Sequence, residues 1–236
     1  MLGAQQQRML ISKCKGLTGS GAGLFFPVRD EKGDGIGIVR VVDKHLASDQ
    51  EIVGQMTRWR KANANRFFTQ FVPTVERTSA WLTDVILADM SRIMFIVEGK
   101  DGDRLGQFGL CGINSEEAQL DNGIRGEPGG HPHLFYFVEL AVICFCFERL
   151  GIQRIFGRMF SNNIMAILLH KKVGFTVEMI QPLRKSDSVD LVTYDPVSDP
   201  LLVNTTIKLV TLALNKETFF QRYPRAELGT NSYFNY

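Results

Sequence analysis

The 236-residue chain has no strong excess of either charge: 27 Lys and Arg against 25 Asp and Glu leave a formal net charge of +2. That is too little to argue for nucleic acid or an acidic membrane surface as partner. Cysteine is scarce, and Cys14, Cys111, Cys144 and Cys146 show no CxxC…CxxC spacing; with two of them inside an apolar run, the chain reads as reduced and cytoplasmic. No apolar stretch reaches the roughly 20 residues that a spanning helix needs. The candidate, Leu134 to Phe147 (LFYFVELAVICFCF), is interrupted by Glu139 and closed by Glu148 and Arg149, so it reads as a helix buried on most sides and no membrane is expected. The first residues lack a basic start followed by an apolar stretch, so no signal peptide is expected. There is no internal repeat. The composition is also not that of a disordered chain, because 44% of residues are hydrophobic and 22% charged.

The glycines that are present are unevenly spread. Eight of 22 fall at or before Gly37, including GSGAG at 19–23 and KGDGIG at 32–37, which reads as an irregular leader over residues 1–35 with room for one hairpin. An ordered domain is expected over 36–223, followed by a tail at 224–236. The domain opens on the β-branched run Ile36–Val42. Two helices follow, one from Ser48 to about Ala62 and one capped by Thr74. Strands are expected at 92–98, 105–113 and 119–124. Pro132 opens the long apolar helix and Gly151 ends it. A strand at 154–160, a helix from Asn163 to Val173 closed by Gly174, and strands at 175–180 and 207–214 complete a mixed α/β order. Residues 184–206 read as an excursion between the last two strands.

One junction carries chemistry. The strand at 119–124 runs into Arg125-Gly126-Glu127-Pro128-Gly129-Gly130, and that turn into the long helix. Glycine lets a ligand approach the backbone, and unpaired N–H groups at a helix start attract an anion. The turn is neither GxxxxGK[ST] nor GxGxxG, so it lacks the defining residues of the nucleotide triphosphate and dinucleotide sites. His131 and His133 form an H-x-H pair, yet zinc needs three or four ligands and no partner cluster is visible, so no metal is expected.

Residues 163–175, NIMAILLHKKVGF, resemble the signature helix of the GNAT acetyltransferase superfamily, with Asn163, Ala166, Leu169, His170, Gly174 and Phe175 in the matching places. Upstream, Phe147–Ile152 with Arg154, Ile155 and Arg158 is similar to that family's cofactor helix end and next strand. The N-terminal half (WRKANANRFF, RTSAWL) resembles the ribosomal-protein N-terminal and amino-sugar acetyltransferases. The resemblance implies a central, mostly antiparallel sheet splayed in its middle, with helices on both faces. It implies acetyl-coenzyme A as co-substrate, held by Arg125, Gly126, Gly129, Gly130, His131 and Asn163, and direct attack of a substrate amine on the thioester.

The sequence departs from the family pattern twice. Pro128 stands where the family loop has Gly, so that position offers no N–H; and His170 stands where Tyr is frequent as the acid for the leaving thiolate. His170 is the candidate acid, since an imidazolium can reach a thiol whose pKa is near 8.5. Asp121 is the candidate base, with Glu98 as runner-up. Trp59, Arg60 and Asn122 are candidates for contacting the acceptor. The basic stretch around Trp59 suits an anionic acceptor such as a sugar-linked amine. The competing readings are a protein N-terminal amine as acceptor and a non-catalytic coenzyme-A-binding module; a homodimer is compatible with either.

Overall fold

A computed structural model describes residues 3–18 and 23–224. Ten strands form one sheet in the order β1-β2-β4-β5-β6-β7-β10-β8-β9-β3. In chain order they are β1 (Phe25–Arg29), β2 (Gly35–Val41), β3 (Thr69–Gln70), β4 (Ile93–Gly99), β5 (Arg104–Cys111), β6 (Glu117–Arg125), β7 (Arg154–Phe160), β8 (Thr176–Ser188), β9 (Leu191–Pro196) and β10 (Lys208–Asn215). The helices are α1 (Ala4–Cys14), α2 (Lys44–Ser48), α3 (Gln50–Ala62), α4 (Val75–Trp81), α5 (Leu134–Glu148), α6 (Ile164–Val173) and α7 (Lys216–Arg222). All strand pairs are antiparallel except β6 with β7.

That parallel pair makes the site. It holds only from Glu117 against Arg154 to Leu120 against Gly157. From Asp121 onward β6 has a strand neighbour on its β5 side alone, and beyond Gly157 β7 pairs only with β10. The wedge between them opens toward the start of α5. A bulge reinforces the divergence: Gln107 pairs with Ile124 and Gly109 with Asp121, so one residue of β5 faces two of β6. Asn122 absorbs the irregularity at φ +50, a left-handed conformation that Asn tolerates better than most residues.

Each face of the sheet carries its own core. One joins the sheet to α1, α5 and α7 through residues such as Ile11, Phe95, Phe145, Phe147 and Phe219. The other joins the opposite face to α3 and to the π-helical turn Leu82–Leu87 that continues α4, through Ile52, Met56, Trp59 and Leu82. The cap of α3 is Asp49, whose side chain accepts from the N–H groups of Glu51 and Ile52. Thr74 caps α4 by accepting from Arg77. No helix among the described residues is long and apolar enough to cross a membrane; Leu134–Glu148 is instead the central core helix, buried from Phe137 through Phe147.

Three segments differ from the sequence reading. Within 1–35, read as irregular, residues 4–14 form α1 and 25–29 form β1. Gln7, Ile11, Cys14 and Lys15 are buried there; half of that buried stripe is polar, so hydrophobic periodicity does not reveal it. The excursion at 184–206 is largely a β8–β9 hairpin, hidden because both of its faces are mostly exposed and polar. A seventh helix, α7, follows β10. Most of GSGAG at 19–23, and the tail from 225 on, lie outside the described residues.

Candidate active site

A cleft of about 600 Å³ occupies the wedge, lined by β6 from Gln119 to Arg125, by Gly157–Met159 of β7, by the start of α5 and by one face of α6. His170 lies at its inner wall. It is buried on the last turn of α6, and its Nε2 lies 3.5 Å from where a Cβ on Gly157 would stand. The ring thus packs within van der Waals range of β7 at Gly157. Behind the ring, Nδ1 is 2.6 Å from Oε1 of Glu139. Glu139 is completely buried in α5 and its Oε2 has no hydrogen-bond partner. That hydrogen bond engages Nδ1 and leaves Nε2 as the ring nitrogen facing the cleft. Phe175 tilts against the ring at 5.3 Å and completes its packing.

Across the wedge, Asp121 and Asn122 lie on the bulge. Asp121 accepts the N–H of Asn122 at Oδ1 (2.9 Å) and its side-chain amide at Oδ2 (2.8 Å), and Arg92 approaches to 3.6 Å. Both residues line the cleft. Glu98 does not. It pairs in bidentate fashion with Arg40 (3.0 and 3.1 Å) on the β2–β4 ladder. Cys111, next to Asp121, has its thiol pushed up to about 12 by burial first and by that carboxylate second, which removes it as a ready nucleophile.

The glycine-rich turn is organised from beneath. Trp59 is 2% exposed, so it sits under the turn rather than in the cleft. Its ring lies where a Cβ on Gly126 would be, 2.3 Å away, and its indole N–H donates to Glu127. The N–H groups of Gly126 and Glu127 both go to the carbonyl of Leu105, so Gly126 serves close packing and not anion binding. Gly129 and Gly130 take φ of +105 and +65, and Arg125 spans the turn to the carbonyl of Gly129 at 2.6 Å. The N–H groups of Gly129, Gly130 and His131 donate to no group among the described residues, whereas that of His133 goes to the ring of His131. Those three N–H groups, with Arg66, Arg125, Arg158 and Lys172 along the cleft, are what the protein offers a polyanion. Asn163 precedes α6 and accepts from Arg66 through its side chain (2.7 Å). Among the described residues no group of three or more His, Cys, Asp or Glu could hold a metal ion.

Residues 45–176, more than half of the chain and spanning the wedge, the turn and α6, match the family model described as an acetyltransferase (GNAT) domain. The chain belongs to the GNAT acetyltransferase family. Acetyl-coenzyme A is the acyl donor of that family, and the open edge of β6, the unpaired N–H groups and the cationic lining of this acetyltransferase fit it. A search of curated protein sequences finds no match. In structure, the chain is similar to a spermidine N-acetyltransferase from Vibrio cholerae solved with CoA and spermine, at 14% identity, TM-score 0.59, covering 77% of this chain and 96% of that one. It is equally similar in fold to FdhC, described as a nucleotide-linked sugar GNAT, at 11% identity, TM-score 0.59, covering 86% and 97%. A dodecameric form of the Vibrio cholerae enzyme aligns at 15% identity and TM-score 0.55, covering 78% and 96%. At these identities the likeness establishes the fold.

Two residues of the site escape a sequence reading. Glu139 is visible only as an interruption of an apolar run, although a single carboxylate inside such a run is itself a signal, since buried acids need a partner. Tyr136 lines the cleft, with its hydroxyl 3.1 Å from that of Tyr223 after α7. Burial and that neighbour push its ionisation upward, so it stays a neutral hydroxyl at the cleft mouth.

Proposed function

We propose that the protein transfers the acetyl group of acetyl-coenzyme A to the primary amine of an anionic small molecule, an amino sugar or sugar nucleotide, by direct attack. The observation that carries this is the Glu139–His170 pair, with Nε2 presented to the wedge where a thioester lying along the open edge of β6 would end. The donor supplies an activated acetyl carbon and a sulfur leaving group. The ring acts as the imidazolium: its Nε2 proton goes to that sulfur as the C–S bond breaks, while Nδ1–H stays on Glu139, which fixes the ring's orientation. Asp121, on the opposite wall, takes a proton from the acceptor ammonium before attack. The acceptor ammonium loses two protons in forming the amide: one leaves to solvent by way of Asp121, and the other, shed after attack, restores the proton that His170 gives to sulfur. The phosphates of the donor rest on the N–H groups of Gly129, Gly130 and His131 and on Arg125, with Asn163 and Arg66 beside the arm.

The anionic acceptor is supported by the cations on the acceptor side, Arg60 above all. Burial lowers its guanidinium to about 10, and the nearby Asp121 only partly opposes this. A charge so placed favours a counter-ion. The test is a thiol-release assay over a panel of amines including amino sugars, sugar nucleotides, polyamines and an N-terminal peptide. His170→Phe is expected to lose roughly 10²-fold or more in kcat with the acetyl-coenzyme A KM nearly unchanged. Full turnover in that variant would remove the proposed acid. Donor binding with no thiol released from any amine would instead favour a non-catalytic module.

A further inference from the structure

Beside the cleft, and joined to it at Asn122, lies a second cavity of about 180 Å³ between α3, the segment that precedes α4, α4 itself and the sheet. Phe71 and Trp81 wall it, Arg60 and Arg77 bring two cations to it, and Gln107 and Asn122 lie on its sheet side. Gln107 is 2% exposed, and its Oε1 is buried without any hydrogen-bond partner, while its amide nitrogen reaches the carbonyl of Asn122 at 3.4 Å. Buried polar atoms in native folds are paired, so an orphaned acceptor on a cavity wall marks where a donor from outside belongs. Among the described residues neither arginine has a carboxylate within ion-pair distance. Arg60 is instead held by aromatic rings, 3.2 Å from the centre of Phe67 and 5.5 Å from that of Phe71, with one N–H on the carbonyl of Thr69. Arg77 lies 5.7 Å from Phe71 and donates to the carbonyl of Val72. Each guanidinium is thus oriented, and each keeps unused N–H donors. The size is also informative: a cavity of about 150 Å³ accommodates one benzene, so this one suits a single substituted ring.

We propose that this cavity is the anion subsite of the acceptor: it holds the phosphate or carboxylate end of a ring-sized amine between Arg60 and Arg77. Gln107 Oε1 accepts from a hydroxyl on that ring, Phe71 and Trp81 sandwich it, and the amine points past Asn122 into the cleft. The inference rests on the acetyltransferase reading of that cleft and narrows its acceptor. It also sets this chain apart from polyamine acetylation, because a polycation entering here meets two guanidiniums and no carboxylate on the cavity wall.

The protein has two tryptophans, Trp59 and Trp81, and only the latter lines the cavity, which gives a binding readout independent of turnover. The full-length chain is titrated with glucosamine, glucosamine 6-phosphate, glucosaminuronate and spermidine while tryptophan emission is followed; Trp81→Phe assigns the signal. At least tenfold tighter binding of an anionic sugar than of glucosamine is expected, and the preferred anion separates phosphate from carboxylate. Arg77→Gln should bring the anionic sugars to the level that glucosamine shows in the same variant, and Arg77→Lys should restore part of the difference. Equal binding of glucosamine and the anionic sugars, or tighter binding of spermidine than of any of them, overturns the subsite. Thiol release is measured on the same panel. Turnover without discrimination refutes the subsite and leaves the acetyltransferase reading intact. Arg77-dependent anion binding without thiol release from any amine does the reverse.

Discussion

A carboxylate in the middle of α5 would be among the most expensive side chains in this protein were it alone, since unpaired buried charge is strongly disfavoured. Glu139 is tolerated because His170 meets it, and that meeting is what sequence could not show. His170 is legible from its place in the α6 motif; its partner stands 31 residues away on another helix, and only the packing of α5 against α6 joins them. Glu139→Gln keeps the shape but can donate to Nδ1, so it permits the other tautomer. We expect kcat to fall by roughly 10²-fold, the pH–rate profile to change shape, and acetyl-coenzyme A affinity measured by calorimetry to hold. A loss confined to thermal stability would reduce Glu139 to a packing role. Trp59 teaches the converse. Its cationic neighbours suggest a ligand contact, yet its ring is consumed in supporting the turn above it, a use that no local pattern announces.

At the scale of elements, the turn before α5 and the helix α1 each illustrate what composition hides. Gly126 has ring atoms of Trp59 2.3 Å from its notional Cβ, so Gly126→Ala must displace either the indole or the turn. We expect a loss of about 1–3 kcal/mol in denaturant unfolding, with weaker acetyl-coenzyme A binding by calorimetry. α1 was illegible because its inward stripe includes Gln7, which donates to the carbonyls of Asn114 and Leu150, and the next residue but one after the helix's Lys13 is Lys15, which donates to those of Ile86 and Asp89. Burial lowers the Lys15 ammonium from 10.5 to about 8, partly offset by Asp89. The folded state therefore releases this proton at lower pH than the unfolded chain. Between about pH 8 and 10.5 the unfolded state binds more protons, and this group's contribution to stability rises with pH. Cys14 acts in the opposite sense: burial raises its thiol from 9.0 to about 11, so its contribution falls between those values. The stability of wild type relative to Lys15→Met should accordingly grow as pH is raised from 8 to 10.5 in matched urea titrations. A flat difference would mean that the ammonium is not desolvated.

For the molecule as a whole, most of the strand and helix order from residue 36 to 180, and the last strand, is readable because the elements there are punctuated by Gly, Pro or a capping residue. The first 30 residues are not, since their order comes from docking onto a core built by distant segments. Deleting residues 1–17 should uncover part of the core that α1 shares with the sheet and α5, and the loop after α5 to which Gln7 is bonded. It removes the fully buried Ile11 and Cys14, so a loss of at least about 3 kcal/mol is expected at roughly 1.5–3 kcal/mol per buried apolar side chain. Unchanged urea midpoints would make the N-terminal segment an appendage. The short parallel contact between β6 and β7 also has a mechanical meaning. Five strands stand on each side of it, and four residue pairs are all the backbone ladder that couples them. The seam is the shortest ladder within the body of the sheet, and a donor bound as proposed would lie along it, so an occupied cleft would work as a splint. Amide exchange should slow on both banks, at 121–125 and at 157–160, when acetyl-coenzyme A is added, and the two halves should then unfold as one.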